Sequence, residues 1–248
     1  MVALTDKELI RKFNIRPSDK ILDIGGSSKQ HDQIKIHTLV DIVRPEEAAY
    51  DFDSPLNATK FVRLDIETQR LPFKDNSFDF VLCTHTLEDL HSPFLVIEEM
   101  SRVAKRGYIA TPSRGLDTTF FHFDITDWLT GPHRTPGFAH HKWLFENKRG
   151  VLHLTPKSYP LLYSTEFQFT RWTGPDECQF YWENKIKYKH DVNLDLNLHH
   201  LINNYRAYVK HNSKHLHKGL PLVFLDNPWY IFKAYLKLLL KRGQGFKV

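Results

Sequence analysis

The chain has 248 residues, 41% of them hydrophobic and 25% charged, which excludes a disordered or collagen-like polymer and leaves room for one substantial core with a peripheral subdomain. Its two cysteines, Cys83 and Cys178, are too few for a disulfide framework. The formal net charge of +5 favours an anionic partner without specifying one.

Residues 1–8 contain no long apolar run, so no secretory signal is expected and a cytoplasmic enzyme is the first reading. Residues 20–27 (KILDIGGS) form a strand that runs into a glycine turn, where a ligand can approach the backbone closely. Residues 38–42 (TLVDI) form a second strand ending in the acid Asp41. A glycine turn with an acid at this distance suits a nucleoside, placing backbone N–H groups over one end and a carboxylate at the ribose hydroxyls. A third apolar run ends at Asp65, followed by Leu71-Pro72-Phe73 and the polar turn Asp75-Asn76-Ser77.

Residues 78–83 read as a buried strand. The next helix carries Phe94, Ile97, Met100 and Val103 at every third position, with Glu88 and Asp89 expected in its first turn. Gly107 ends that helix, and residues 108–110 form another buried strand that stops at Thr111-Pro112-Ser113. Apolar strands joined by a crossover helix indicate a parallel sheet covered on both faces. Ligands of such sheets bind at the carboxyl ends of the strands. Asp65, Thr84, His85 and Thr111 are therefore the polar residues of interest.

The character changes after Ser113. Residues 114–160 are rich in histidine and aromatics, with a hairpin expected over 140–154 around a turn at Asn147-Lys148-Arg149-Gly150. This segment reads as an insertion covering an acceptor. His122, Asp124, His133, His140 and His141 are chemically able to bind a metal. No compact zinc-type spacing occurs, however, and adjacent histidines in a strand face opposite ways, so no metal is assigned. Two strand-rich runs, 164–172 and 178–188, are expected to close the sheet as an antiparallel pair, a separate cap being the alternative. A polar helix follows over 193–210, then a basic linker and a last helix from Pro228. In that helix Lys233, Lys237 and Lys241 form one stripe against an apolar remainder. Residues 229–242 are too few to span a bilayer, so docking on the chain itself, a homo-oligomer contact or a peripheral membrane contact are the readings.

The order Ile21-Leu22-Asp23-Ile24-Gly25-Gly26, then Val40-Asp41, then Asp65 with the stretch from Leu71 to Asp79, then Glu98 to Gly107, resembles the class I S-adenosylmethionine-dependent methyltransferases. Within them it is similar to the small-molecule, type 11 group that includes quinone-biosynthesis enzymes. The resemblance covers roughly residues 5–113 and is most specific over 71–80. It implies an α/β fold with a Rossmann-like seven-stranded sheet, mostly parallel with the last strand antiparallel. The residues beyond Ser113 add to that fold a His/aromatic-rich insertion after the fifth strand and a C-terminal helical extension. The corresponding division is 1–113 for the cofactor-binding core, 114–160 for the insertion, 161–190 for the closing strands and 191–248 for the extension.

The same resemblance implies S-adenosyl-L-methionine as cofactor. Asp23, Gly25, Gly26 and Ser27 would lie under its methionine part, Asp41 with Ile42 at the ribose, and Asp65 with Ile66 at the adenine. Cys83 and Thr84, with His85, would lie beside the sulfonium and the acceptor. The chain departs from the family in carrying Ser27 and Lys29 where further glycines are usual, and Lys105-Arg106-Gly107 in place of Pro-Gly-Gly.

Methyl transfer from a sulfonium is an in-line displacement in which positioning supplies much of the rate, with a base where the nucleophile is an oxygen of high pKa. His85 is the first candidate base, and His140 or His141 the second. No Asn/Asp-Pro-Pro-aromatic sequence follows the fourth strand, and no Pro-Cys nucleophile occurs. A small-molecule, sugar or lipid-linked acceptor is therefore expected, with O- or N-methylation. An RNA methyltransferase, supported by the basic aromatic stretch Tyr205-Arg206-Ala207-Tyr208-Val209-Lys210-His211, is the alternative, as is a catalytically silent cofactor-binding module.

Overall fold

A computed structural model describes residues 4–28, 31–47, 58–119, 137–138, 140–157, 170–190, 197–212 and 216–218. The chain divides into two compact units. The first comprises Met1–Arg114, His141–Pro156 and Asp176–Val192; the second comprises Gly115–His140, Lys157–Pro175 and Asn193–Val248.

Helix α1 (Asp6–Phe13) begins with a capping box, in which Thr5 and Glu8 satisfy each other's exposed backbone donors. The strands that follow are β1 (Ile21–Ile24), β2 (Ile36–Asp41), β3 (Ala58–Arg63) and β4 (Phe80–Thr84). Helix α2 (Phe94–Val103) leads to β5 (Arg106–Pro112), and α3 (Arg114–Thr118) follows directly. The hairpin β6 (Trp143–Lys148) and β7 (Val151–Pro156) comes next, then β8 (Thr170–Trp172), β9 (Glu177–Glu183) and β10 (Tyr188–His190). Helix α4 (Leu198–His211) and β11 (Leu216–Lys218) complete the described elements.

In the first unit the main sheet has the order β3-β2-β1-β4-β5-β9, with every neighbour parallel except β9, which runs antiparallel to β5. This is the expected mostly parallel α/β sheet with an antiparallel closing strand. It has six strands among the described residues rather than seven. The difference lies in the run 164–172: its described part, β8, pairs with β11 in a separate two-stranded sheet, and residues 164–169 fall outside the described residues.

Side chains alternate across the sheet, so two apolar layers cover it. One layer packs Leu22, Ile24, Val81, Cys83 and Ile109 with α2 and the β6–β7 hairpin. The other packs Ile21, Leu39, Phe80, Leu82 and Tyr108 under Leu9 and Phe13 of α1. Phe13 stacks on Tyr181 at 4.8 Å and tilts against Tyr108 at 5.0 Å, which fixes α1 on that face.

The stretch that most resembles a known family owes its form to packing. The carboxylate of buried Glu99 accepts the Leu71 N–H at 2.9 Å and the Arg102 guanidinium at 2.6 Å. Arg102 in turn donates to the carbonyls of Leu71 and Phe73 at 3.0 and 2.7 Å. Glu88 and Asp89 are not in the first turn of α2, which has Pro93 as its N-cap; they form a separate turn ahead of it.

The expected hairpin is present as β6 and β7, turning at Arg149 and Gly150, and His140 and His141 precede it rather than lie in a strand. β7 also pairs parallel with β10. In the second unit, the buried Lys157 ammonium lies 3.2 Å from Asp117 Oδ1 and also donates to the Phe138 carbonyl. Trp172 packs where Gly115 and Gly174 carry no side chain. Cys83 and Cys178 are free and buried. No helix among the described residues is long and apolar enough to cross a membrane, and the final helix expected from Pro228 lies outside them.

Candidate cofactor and acceptor site

The carboxyl ends of β1, β2 and β4 meet at the glycine turn. Gly25 adopts a φ of +74°, and a Cβ there would fall 2.2 Å from the Thr86 hydroxyl oxygen. At Gly26 a Cβ would fall 2.0 Å from Asp23 Oδ2. Both positions therefore need glycine: the first for its dihedral and a neighbour, the second for the carboxylate behind it.

Asp41 binds this turn to the next one. Its Oδ2 accepts the Ser27 N–H at 3.0 Å, and its Oδ1 accepts the N–H groups of Ile42 at 2.7 Å and Val43 at 3.3 Å. Ile42 itself is 60% exposed, an unusual state for a large apolar side chain at a strand end. Asp23 is buried and its Oδ1 has no hydrogen-bond partner among the described residues. Burial pushes its carboxyl up to about 6, against the His31 charge and with the help of Asp41.

The Asp65 carboxylate accepts the Thr68 hydroxyl at 2.7 Å and the Glu67 N–H at 3.0 Å, which lowers its pKa and caps the turn after it. Ile66 and Cys83 belong to the apolar core, so their side chains face packing neighbours rather than a ligand. Burial raises the Cys83 thiol well above its ordinary value.

A cleft of about 330 Å³ opens beside the ends of β4 and β5. Thr84 and His85 line it from β4, Tyr108 and Ala110 from β5, and Leu4 and Leu9 from the start of α1. Asp6 and His31 close another side, paired at 2.6 Å. Burial opposes ionisation of Asp6, but hydrogen bonds from His31 and the Gln33 N–H outweigh it and hold the carboxyl below its usual range.

His85 does not have the environment of a general base. Its Nε2 lies 3.0 Å from Glu177 Oε1 and its Nδ1 lies 3.4 Å from Glu88 Oε1. Burial alone would lower its pKa, but the hydrogen bonds to Glu177 and Glu88 prevail and push it up to about 9. Both ring nitrogens therefore carry protons at neutral pH, leaving no lone pair to take one from an acceptor. His85 also has a φ of +52°, which is uncommon for a residue other than glycine. Glu88 is buried, its Oε2 has no hydrogen-bond partner among the described residues, and burial raises its pKa.

His141 is buried 3.8 Å from Asp89 Oδ1, whereas His140, in the second unit, is exposed with its ring against Phe138. The sequence reading missed Glu177, Tyr108 and Thr86. Glu177 becomes relevant only once β9 pairs with β5, a contact no local pattern announces.

Residues 25–110 match the family described as "Methyltransferase domain". The chain is 25% identical over 164 residues to a demethylmenaquinone methyltransferase of Geobacillus stearothermophilus, covering 58% of this chain and 68% of that protein. A demethylmenaquinone methyltransferase of Geobacillus kaustophilus is 23% identical over the same shares. Among solved structures, a SAM-dependent methyltransferase from Methanosarcina mazei is similar at 22% identity with a TM-score of 0.34, over 46% of this chain and 60% of that one.

The site meets the requirements of such a cofactor. The glycine turn is held tight by Thr86 and Asp23, which leave no room for a side chain at Gly25 or Gly26, Asp23 keeps a buried carboxylate oxygen unpaired among the described residues, and Ile42 presents an apolar face next to Asp41. Gly25, Gly26, Ser27, Asp41 and Ile42 are the residues that would hold it.

Proposed function

We propose that this chain, a class I S-adenosylmethionine-dependent methyltransferase, methylates an oxygen or nitrogen of a small acceptor with a largely apolar body. The bound cofactor supplies an activated methyl group. The cleft beside Thr84 and His85 carries the reading: its volume of about 330 Å³ and its walls of Leu4, Leu9 and Ala110 suit one compact organic molecule. Similarity to demethylmenaquinone methyltransferases supports an acceptor with a ring and an apolar tail.

The chain's own part is orientation. The glycine turn and Asp41 hold one reactant, and the cleft holds the other. His85 acts as a fixed cation that ties the end of β4 to β9, and no proton passes to it.

The test is methyl transfer from labelled S-adenosylmethionine to soluble quinols and phenols, sugars, and RNA. Labelling of the aromatic acceptors is expected. Labelling of RNA alone, with steep loss at raised salt, would replace this reading with nucleic-acid methylation.

A further inference from the structure

β1 and β4 are the neighbours at which the order of the parallel strands reverses, and ligands of open α/β sheets bind beyond the carboxyl ends of the strands at such a point. Thr84 is the last residue of β4 there. Side chains alternate along a strand: Phe80 and Leu82 lie in the layer under α1, Val81 and Cys83 in the opposite one. Thr84 therefore faces the α1 side, beside Ala110, its register partner on β5, and it lines the cleft half-buried. Its backbone carbonyl accepts the Thr86 hydroxyl at 3.1 Å, but its own hydroxyl makes no hydrogen bond among the described residues. Unlike the Tyr108 hydroxyl, it is not closed off from solvent.

The other polar side chains of the cleft are already engaged. The Thr5 hydroxyl donates to Glu8 at 2.8 Å in the capping box. Asp6 pairs one carboxylate oxygen with His31 and accepts the Gln33 N–H with the other at 2.8 Å. The His85 ring faces Glu88 and Glu177, while Asp32 and Gln33 are exposed, so water serves them. Thr84 is thus a small polar point on an otherwise apolar wall.

We infer that the Thr84 hydroxyl is a specificity-determining contact that hydrogen-bonds a polar group of the acceptor, and that it serves the acceptor rather than the cofactor. This rests on the cleft being the acceptor site. A threonine hydroxyl can donate one hydrogen bond and accept others, so it matches a hydroxyl or an amine. The substrate class is then an apolar ring or chain, fitting Leu4, Leu9 and Ala110, that carries one such group. A uniformly apolar wall would accept the ring in several orientations; one polar point at the strand ends selects among them. An analogue without the group displaces water from Thr84, leaves the hydroxyl unpaired and is discriminated against.

Binding of 1-naphthol and of 1-methylnaphthalene, which have nearly the same shape, to the full chain, to Thr84→Val and to Thr84→Ser tests this. The ratio of the two affinities should shift against 1-naphthol by about 10-fold or more in Thr84→Val. Thr84→Ser, which keeps the hydroxyl, should hold the wild-type ratio. Thr84→Val keeps the side chain's shape and loses a hydroxyl unpaired in the free protein, so neither its melting temperature nor its affinity for S-adenosylhomocysteine should fall. An unchanged ratio in Thr84→Val, an equal loss in Thr84→Ser, or binding of neither probe to wild type would overturn the assignment. A lower melting temperature would mean that the hydroxyl is paired within the fold, and weaker S-adenosylhomocysteine binding that Thr84 serves the cofactor; either result also overturns it. Titration of wild type with S-adenosylhomocysteine tests the functional reading separately. If it fails to bind while the naphthol ratios behave as expected, the methyltransferase reading falls and the Thr84 contact does not. The reverse pattern removes only the contact.

Discussion

His85 Nε2 lies 3.0 Å from Glu177 Oε1, so a residue at the end of β4 is clamped by the first residue of the closing strand, far along the chain. With Glu88 on the other ring nitrogen, the imidazolium joins three segments of the first unit at the edge of the cleft. Because its folded pKa of about 9 lies above the ordinary 6.5, the stabilisation is complete below about pH 6.5 and is lost as pH rises through 9. His85→Gln should therefore destabilise the chain by about 1–3 kcal/mol at pH 6. The gap from wild type should close by pH 10, as read from urea unfolding at both values. A gap that stays constant with pH would mean that the ring is not charged when folded.

Asp23 shifts stability with pH in the same direction, but its substitution has the opposite effect. Its carboxyl is raised from 3.8 to about 6 by burial, so the folded state holds the proton more tightly than the unfolded chain. Stability contributed by the protonated form is lost as pH rises through that window, and above it the buried charge is a continuing cost. Asp23→Asn should raise the stability of the cofactor-free protein by about 1–3 kcal/mol at pH 7.5 and change it little at pH 4. The same variant should weaken S-adenosylhomocysteine binding, because the Asp23 carboxylate packs directly behind Gly26 and sets the form of the turn. Melting curves at the two pH values check the first claim and calorimetry the second; a destabilised variant at pH 7.5 would refute the burial argument.

The parallel core was legible because its signals are local. Four apolar strands each end at a distinctive polar residue, and residues 71–80 carry a spacing that Glu99 and Arg102 require for packing. The glycine turn and Asp41 were legible for the same reason: the acid and the N–H groups it accepts lie within a short span of chain. Glu177, Tyr108 and Thr86 were not legible, since their roles come from β9 pairing with β5 and from what lies across the sheet ends. Ile66 and Cys83 place their side chains in the apolar core, a burial that no local pattern distinguishes from a place at the sheet end. The pairing of β8 with β11 likewise depends on a remote partner that strand periodicity cannot name.

Gly26→Ala should separate the cofactor site from the fold. The added Cβ would meet Asp23 Oδ2 at 2.0 Å, and this carboxylate is enclosed by the core and cannot swing away freely. Relief requires the turn to shift, at a cost of about 1–3 kcal/mol. Binding of S-adenosylhomocysteine should fall by about 10-fold or more while circular dichroism at 25 °C stays that of wild type. Retained affinity would show that the turn does not approach the ligand.

Asp41→Ala should act on two loops at once. The carboxylate accepts the N–H of Ser27 with one oxygen and those of Ile42 and Val43 with the other, so it sets the glycine turn against the end of β2. Removing it frees two exposed donors, those of Ile42 and Val43, where water can replace the bonds, and one on buried Ser27, so the melting temperature should drop modestly. Ribose recognition has no such substitute, because the orientation of both loops is lost together with the acceptor groups. Affinity for S-adenosylhomocysteine should fall by about 10- to 100-fold, consistent with roughly 1–3 kcal/mol. Asp41→Asn keeps one acceptor oxygen but introduces an NH₂ group against a backbone N–H, so it should recover little of the loss. Near-complete recovery in Asp41→Asn would mean that the charge is dispensable and that shape alone holds the turn.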